Sequence, residues 1–333
     1  MSAYKHIPEA NVVAVSDINL EKAKAFAQKH NIKKAFKDYL ELFEMKNLDY
    51  VDICTPTSTH AKIACEAAKL GQNILLEKPM ARTTAECDEI MHEISKHGTK
   101  LSILHNQLFL PQVMQAKAMV DSGEFPLAYF KVSVRENVEL IGAPSWIMTP
   151  EQGGFLWETG YHCAYLQLHF LEDVNEVCAV GEKIKHPVHD HFIALIHTAS
   201  QAIGVIEMSY LAKKIEIIFE LISSNGKQMQ ILDYNYPLEI PEKRPRSSLQ
   251  GFYWDQKMVI KKWIKAESSF LRYRHVLACL PQYIFINQYM NSVKNDLDPP
   301  VKPEDGRKTV RFLECIEESL NKNQPIKVEN SMH

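Results

Sequence analysis

Two short stretches carry the residue types of proton chemistry. One is Cys54-Thr55-Pro56-Thr57-Ser58-Thr59-His60, the other Glu77-Lys78-Pro79. Each follows a run that reads as a strand, Tyr50–Cys54 and Asn73–Leu76. In doubly wound parallel sheets, ligands bind beyond the carboxyl ends of strands, so both stretches should face one crevice. A lysine held between Glu77 and Pro79 is restricted in where it can point. Partial burial would lower its pKa and let it exchange protons near neutral pH. The alternative is a solvated loop lysine paired with Glu77. A third stretch runs from Gly153-Gly154 to Glu158-Thr159-Gly160-Tyr161-His162. On the residues alone, His162 reads as a core histidine on an amphipathic helix, with Tyr165 and His169 on nearby faces. His186, His189, Asp190 and His191 form the one cluster resembling a metal site. His189 and His191 would point the same way on a strand. Pro187 instead makes the segment a connection with solvated histidines, so no metal is expected.

The elements that must position these residues fall into two kinds. Up to Phe125, short apolar runs alternate with helical patterns: strands at Val12–Val15, Lys34–Phe36, Tyr50–Cys54, Asn73–Leu76 and Lys100–Leu104, and helices at Leu20–His30, Tyr39–Met45, His60–Leu70 and Thr84–His97. That alternation indicates βαβ units and a parallel sheet. From Pro126 onward, alternating segments at Ala128–Asn137, Glu176–Glu182, Phe192–Thr198, Ala202–Tyr210, Glu216–Ser223 and Gln228–Leu232 read as a large open, mainly antiparallel sheet. Asn225-Gly226 supplies a hairpin signal between the last two. One sheet face should pack on helices and leave the other for a partner. A helix at Tyr161–Leu171 interrupts the strands. Residues 236–256 read as a loop, helices resume near Asp255, and a last one spans Pro303–Lys322. The expected division is therefore 1–125, a Rossmann-like nucleotide-binding domain, and 126–333, an α+β domain for substrate and oligomerisation. Part of the C-terminal helical region would rejoin the first.

Composition narrows the function classes. The 333 residues are 46% hydrophobic and 24% charged, as in ordinary globular proteins. A formal charge of −3 gives no support for binding nucleic acid or a membrane surface. No run of about 18 apolar residues suggests a membrane span. Seven cysteines at wide spacings, with no C-x-x-C, fit a reducing cytoplasm rather than a disulfide framework. Twelve glycines are roughly half the ordinary ~7% usage, and none precedes Gly71.

The run Thr55-Pro56 to His60, then Ala67-Ala68-Lys69-Leu70-Gly71, then Glu77-Lys78-Pro79, resembles the Gfo/Idh/MocA family of nicotinamide-dependent oxidoreductases. Gly153-Gly154 with Glu158 to His162 looks like that family's second block, and Pro303-Glu304-Asp305-Gly306 with Glu318-Ser319 like its C-terminal helix. The resemblance covers residues 5 to 328. It implies a Rossmann domain, an open-sheet second domain, and hydride transfer between NAD and a hydroxyl or ketone of a sugar, polyol or related metabolite. By this resemblance Lys78 and His162 are catalytic. Thr55, Pro56, His60, Glu77, Lys78 and Asn106 lie by the cofactor, and Glu158 and His162 lie by the substrate. Trp146 would line the substrate cleft, with packing as its alternative. The family usually has aspartate where Glu158 stands, one methylene shorter, and often an arginine between Asn106 and Pro111, where this chain has none. Asp17 ends the strand Val12–Ser16, where a carboxylate accepts from the adenosine ribose hydroxyls and repels a 2′-phosphate, which favours NAD over NADP. Its other reading is a helix cap. A homodimer or homotetramer through the open sheet is expected.

Such a domain opens with a strand and a glycine turn that holds the pyrophosphate. Here Met1–His6 already reads as the end of the following helix, and Val12–Val15 as the second strand. The sequence reads as one starting at an internal methionine. Two alternatives stand beside that. The sheet could close by pairing its remaining strands, or the protein could be a catalytically silent relative that uses the fold for binding and association.

Overall fold

The computed structural model describes residues 1–137, 142, 145–232 and 279–329, without the side chains of 145 and 146. The expected loop at 236–256 and the helical start near Asp255 lie outside them. The chain divides into two compact units, one of residues 1–106 and 278–310, the other of 107–277 and 311–333.

The first unit is built of short βα repeats. Strands β1 (Ala14–Ser16), β2 (Lys34–Phe36), β3 (Val51–Ile53), β4 (Ile74–Leu76) and β5 (Leu101–Ile103) alternate with helices α1 (Leu20–His30), α2 (Tyr39–Phe43), α3 (His60–Lys69) and α4 (Thr84–His97). Local chemistry sets the helix ends. The Asn19 side chain accepts from the amides of Glu21 and Lys22 at the start of α1. Thr83 and Glu86 form a capping box on α4, which Gly98 closes at φ 67°. All three residues of β4 are buried, as in a central parallel strand. β1 pairs with β2 in parallel, and β3-β4-β5 form a separate parallel sheet. Among the described residues no ladder joins β1 to β3, so the expected alternative of one sheet closed by pairing these strands is not seen. Both sets are parallel, as in the βα repeats of a doubly wound sheet.

Helix α8 (Leu280–Lys294) and the start of α9 (Pro303–Lys322) complete this unit. The Ser102 hydroxyl donates to the Val301 carbonyl at 2.7 Å. Arg307, almost buried, makes a two-pronged ion pair with Asp88 of α4. At Gly306 a Cβ would stand 2.8 Å from Ile103 Cδ1 and 2.9 Å from Met80 Sδ. Only glycine lets α9 lie this close to β5 and to the residues following Pro79.

The second unit holds α5 (Pro111–Asp121), β6 (Leu127–Arg135), α6 (Gly154–Glu158), α7 (Gly160–Phe170), β7 (Val174–Glu182), β8 (His191–Thr198), β9 (Ile203–Ser209), β10 (Glu216–Ser223), β11 (Gln228–Leu232) and β12 (Ile326–Lys327). Its seven strands run β11-β10-β6-β9-β8-β7-β12. Only the β6–β9 pair is parallel. One face is core: Phe130, Val132, Phe192, Ala194, Ile196, Ile206 and Phe219 are buried. Helix α7 lies on it. Gln167 of that helix donates through Nε2 to the carbonyls of Val205 at 2.9 Å and Phe130 at 3.3 Å.

Candidate active site

In the first unit the parallel register aligns Ile53, Leu76 and Ile103, so the segments after β3, β4 and β5 leave the sheet side by side. These segments begin with Cys54-Thr55-Pro56, Glu77-Lys78-Pro79 and Leu104-His105-Asn106. Thr55, Pro56, His60, Glu77, Lys78 and Asn106 thus share one sheet edge.

His60 ties two of these segments together. Its ring is fully buried, with Nδ1 2.7 Å from the Pro79 carbonyl oxygen and Nε2 2.8 Å from that of Thr55. Burial is the larger influence and lowers its pKa, while the two carbonyls pull the other way. The ring therefore holds loops together rather than facing outward. The Thr59 hydroxyl braces the same turn, 2.7 Å from the Pro56 carbonyl and 2.8 Å from the Thr55 hydroxyl. The Lys78 amide donates to the Glu77 carboxylate at 3.2 Å, and the Lys78–Pro79 peptide is cis. Lys78 and Glu77 are half-buried, whereas Met80 and Ala81 behind them are fully buried. A lysine on so fixed a backbone starts from a defined Cα position.

Asp17 follows β1. Its Oδ1 accepts from the Asn19 amide at 2.8 Å, and Asn19, not Asp17, caps α1. Among the described residues Oδ2 has no partner, which leaves it suited to a ribose hydroxyl. Ile18, beside it, is 88% exposed. A large apolar side chain left in water next to a ribose-type carboxylate suits the face of a base. Its exposure, not its residue type, is the signal, so sequence reading passed over it.

Asp17 and Ile18 follow β1, and the segment around Lys78 follows β4. With no glycine before Gly71, none of them forms a glycine turn for the pyrophosphate.

The second unit contains the other predicted residues. Glu158 ends α6 and His162 lies in the first turn of α7. Gly153 and Gly154 take φ 76° and 62°, and neither has room for a Cβ. At Gly153 it would meet Trp157 Cδ1 at 2.1 Å, and at Gly154 Val188 Cγ2 at 2.4 Å. Val188 belongs to a loop gathered on the Asp190 carboxylate, which accepts from the amides of Ile184, Lys185 and His186 at 2.6 to 3.0 Å. Asp190, from the histidine-rich stretch, thus organises backbone. No group of three or more metal-type ligands occurs among the described residues. Trp146 lies on the turn Ser145–Met148, with its side chain outside the described residues.

His162 Nδ1 is 2.7 Å from the Tyr165 hydroxyl. That hydroxyl also accepts from the Gln107 amide at 3.1 Å. Sequence reading singled out neither partner: Tyr165 was placed only on a nearby face of the His162 helix, and Gln107 was not considered. The acid at position 136 is almost buried, and its charge adds to burial in raising the Cys163 thiol and the Tyr210 phenol. A thiol so raised stays protonated, which fits Cys163 for packing.

Residues 1–105 match the family model described as oxidoreductase family, NAD-binding Rossmann fold, and residues 113–228 match that of the GFO/IDH/MocA C-terminal domain. The uncharacterized oxidoreductase YrbE of Bacillus subtilis is 22% identical over 338 residues, covering 98% of this chain and 91% of that protein. Myo-inositol 2-dehydrogenase of Thermotoga maritima is also 22% identical, covering 98% and 93%. A solved structure of levoglucosan dehydrogenase in complex with NADH superposes with a TM-score of 0.80 at 18% identity, over 98% of this chain and 95% of that one.

Proposed function

Because the chain belongs to the GFO/IDH/MocA oxidoreductase family, we propose that it transfers hydride between NAD and a hydroxyl-bearing or ketone carbon of a sugar or polyol. The fixed Glu77-Lys78-Pro79 segment at a strand end is the observation that carries this reading. The nicotinamide, when bound, supplies the hydride acceptor or donor. Lys78 Nζ takes the substrate hydroxyl proton in oxidation and returns it to the carbonyl oxygen in reduction. His162 hydrogen-bonds the same oxygen, and Glu158 and Trp146 orient the substrate. Thr55, Pro56, Glu77 and Asn106 face the cofactor, and His60 keeps the first two in register with Lys78. Relatives named for inositol and levoglucosan support a polyhydroxylated substrate. The Asp17 carboxylate favours NAD over NADP, because a 2′-phosphate would bring like charge against it.

The sheet face away from α7 supports a homodimer or homotetramer. Val180, Ile193, Leu195, Ile203 and Ile222 share it by register and are each more than one-third exposed. No helix among the described residues is long and apolar enough to cross a membrane, and all seven cysteines are free. Free thiols suit the cytoplasm.

The decisive variant is Lys78→Ala. NAD-dependent oxidation of a polyol panel should fall by roughly 10²-fold or more, the scale of a lost general base. NADH binding, followed by the shift in melting temperature, should persist. Turnover equal to wild type in Lys78→Ala would refute the assignment.

A further inference from the structure

We infer that Asp190 is a positioning residue for Glu158 and His162: its buried carboxylate holds the loop between β7 and β8 in the shape that seats α6 and the first turn of α7. The inference rests on the reading of those two side chains as substrate-facing. All of its geometry lies within the second unit.

Asp190 stands just before β8 and is fully buried. A buried carboxylate is costly unless donors surround it. Three backbone amides do so here. Ile184 donates to Oδ1 at 2.9 Å, and Lys185 and His186 donate to Oδ2 at 2.6 and 3.0 Å. Hydrogen bonds to a carboxylate are the strong kind, and three successive amides aimed at one group leave the loop little choice of path. The main chain of the same residue is fixed as well. Its amide donates to the Glu182 carbonyl at 3.1 Å, and its carbonyl accepts from the Tyr210 amide at 2.8 Å. Asp190 thus ties the loop to the last residue of β7 and to the residue following β9.

Two struts run from this hub to α6. Val188 of the loop fills the space at Gly154, where a Cβ would meet its Cγ2 at 2.4 Å. Tyr210 is the second strut. Its buried ring meets that of Phe155 edge-on, and its hydroxyl stands 3.5 Å from Thr159 Oγ1. Gly154 and Phe155 open α6, and Thr159 is the joint between α6 and α7. The struts therefore meet the short helix at both ends. Glu158 is its last residue, and the His162 amide donates to the Thr159 carbonyl at 3.0 Å. A shift of either strut is carried to both side chains.

An asparagine at 190 would have one acceptor oxygen, and its amino group can only donate. At least one of the three amides then loses its partner. A displacement of about 1 Å at a reacting group can cost ~10²-fold in rate.

The test compares Asp190→Asn with the wild-type full chain. Counted per folded molecule, kcat on the polyol oxidised fastest should fall by about 10- to 100-fold. NADH affinity, measured by fluorescence titration, should stay unchanged, because the proposed cofactor residues belong to the first unit. A residue that only stabilised the fold would lower the melting temperature and leave kcat per folded molecule as it was. Hydrogen–deuterium exchange read by mass spectrometry should quicken across residues 153–163 as well as 183–190. Faster exchange confined to 183–190 overturns the inference, and so does an unchanged kcat in an active protein. If Asp190→Asn does not fold, Val188→Ala, which removes one strut and keeps the three amide bonds, is judged by the same two readings. Exchange needs no turnover, so inactivity on every polyol would count against the proposed reaction and leave this result readable.

Discussion

Asp17 places two tasks on one carboxylate. Oδ1 closes the turn by accepting the Asn19 amide, while in the proposed function the full negative charge selects NAD over NADP. An asparagine side chain there would keep the turn and lose the charge. Asp17→Asn should therefore raise the ratio of kcat/KM for NADP to that for NAD by roughly tenfold, since hydrogen bonds to charged groups are worth ~1.5–3 kcal/mol. Steady-state kinetics with both cofactors measure it, and an unchanged ratio would remove Asp17 from cofactor selection. Lys78 and Asp17 drew attention in the sequence because each follows a strand, and His162 only through the family resemblance. Ile18, Gln107 and Tyr165 did not stand out. Their relevance comes from exposure or from a partner that the fold supplies, neither of which residue type encodes.

The Gly153-Gly154 turn governs where α6 and α7 begin, and with them Glu158 and His162. Val188 occupies the space a side chain at 154 would need, and the φ of 62° is itself unfavourable for an L-residue. Gly154→Ala should cost about 2–4 kcal/mol, from overpacking plus left-handed strain. Urea denaturation measures it; an unshifted midpoint would mean that the loop gathered on Asp190 yields instead. Most elements were readable from their ends. Asn19, the Thr83/Glu86 box and the αL glycine at 98 mark helix limits through backbone bonds to near neighbours. Helix α5 was missed because its apolar stripe is thin, with only Val113 and Ala116 buried. The β6–β9 pair was missed for another reason: period-two alternation fixes which residues face inward but not which strand lies alongside, or in which direction.

Across the whole molecule, the open sheet face makes the strongest demand on a partner. Beside its apolar residues stand ion pairs, Lys131 and Arg135 each 2.7 Å from Glu207, which lies opposite Ile193. A second copy would cover the apolar part, with those charges already paired within the face. Light scattering behind size exclusion should show a dimer or tetramer, and Ile193→Glu with Leu195→Glu should yield a folded smaller species. A wild-type monomer would refute the proposal. The sequence by itself determined the alternation of strands and helices and the family motifs, because each depends on residues close together in the chain. The tertiary structure alone decided that β1–β2 and β3-β4-β5 form separate sheets, that His60 bolts Thr55 to Pro79, and that Tyr165 stands between Gln107 and His162. Those outcomes depend on which distant groups meet, and burial selects among pairings that local preference leaves equivalent.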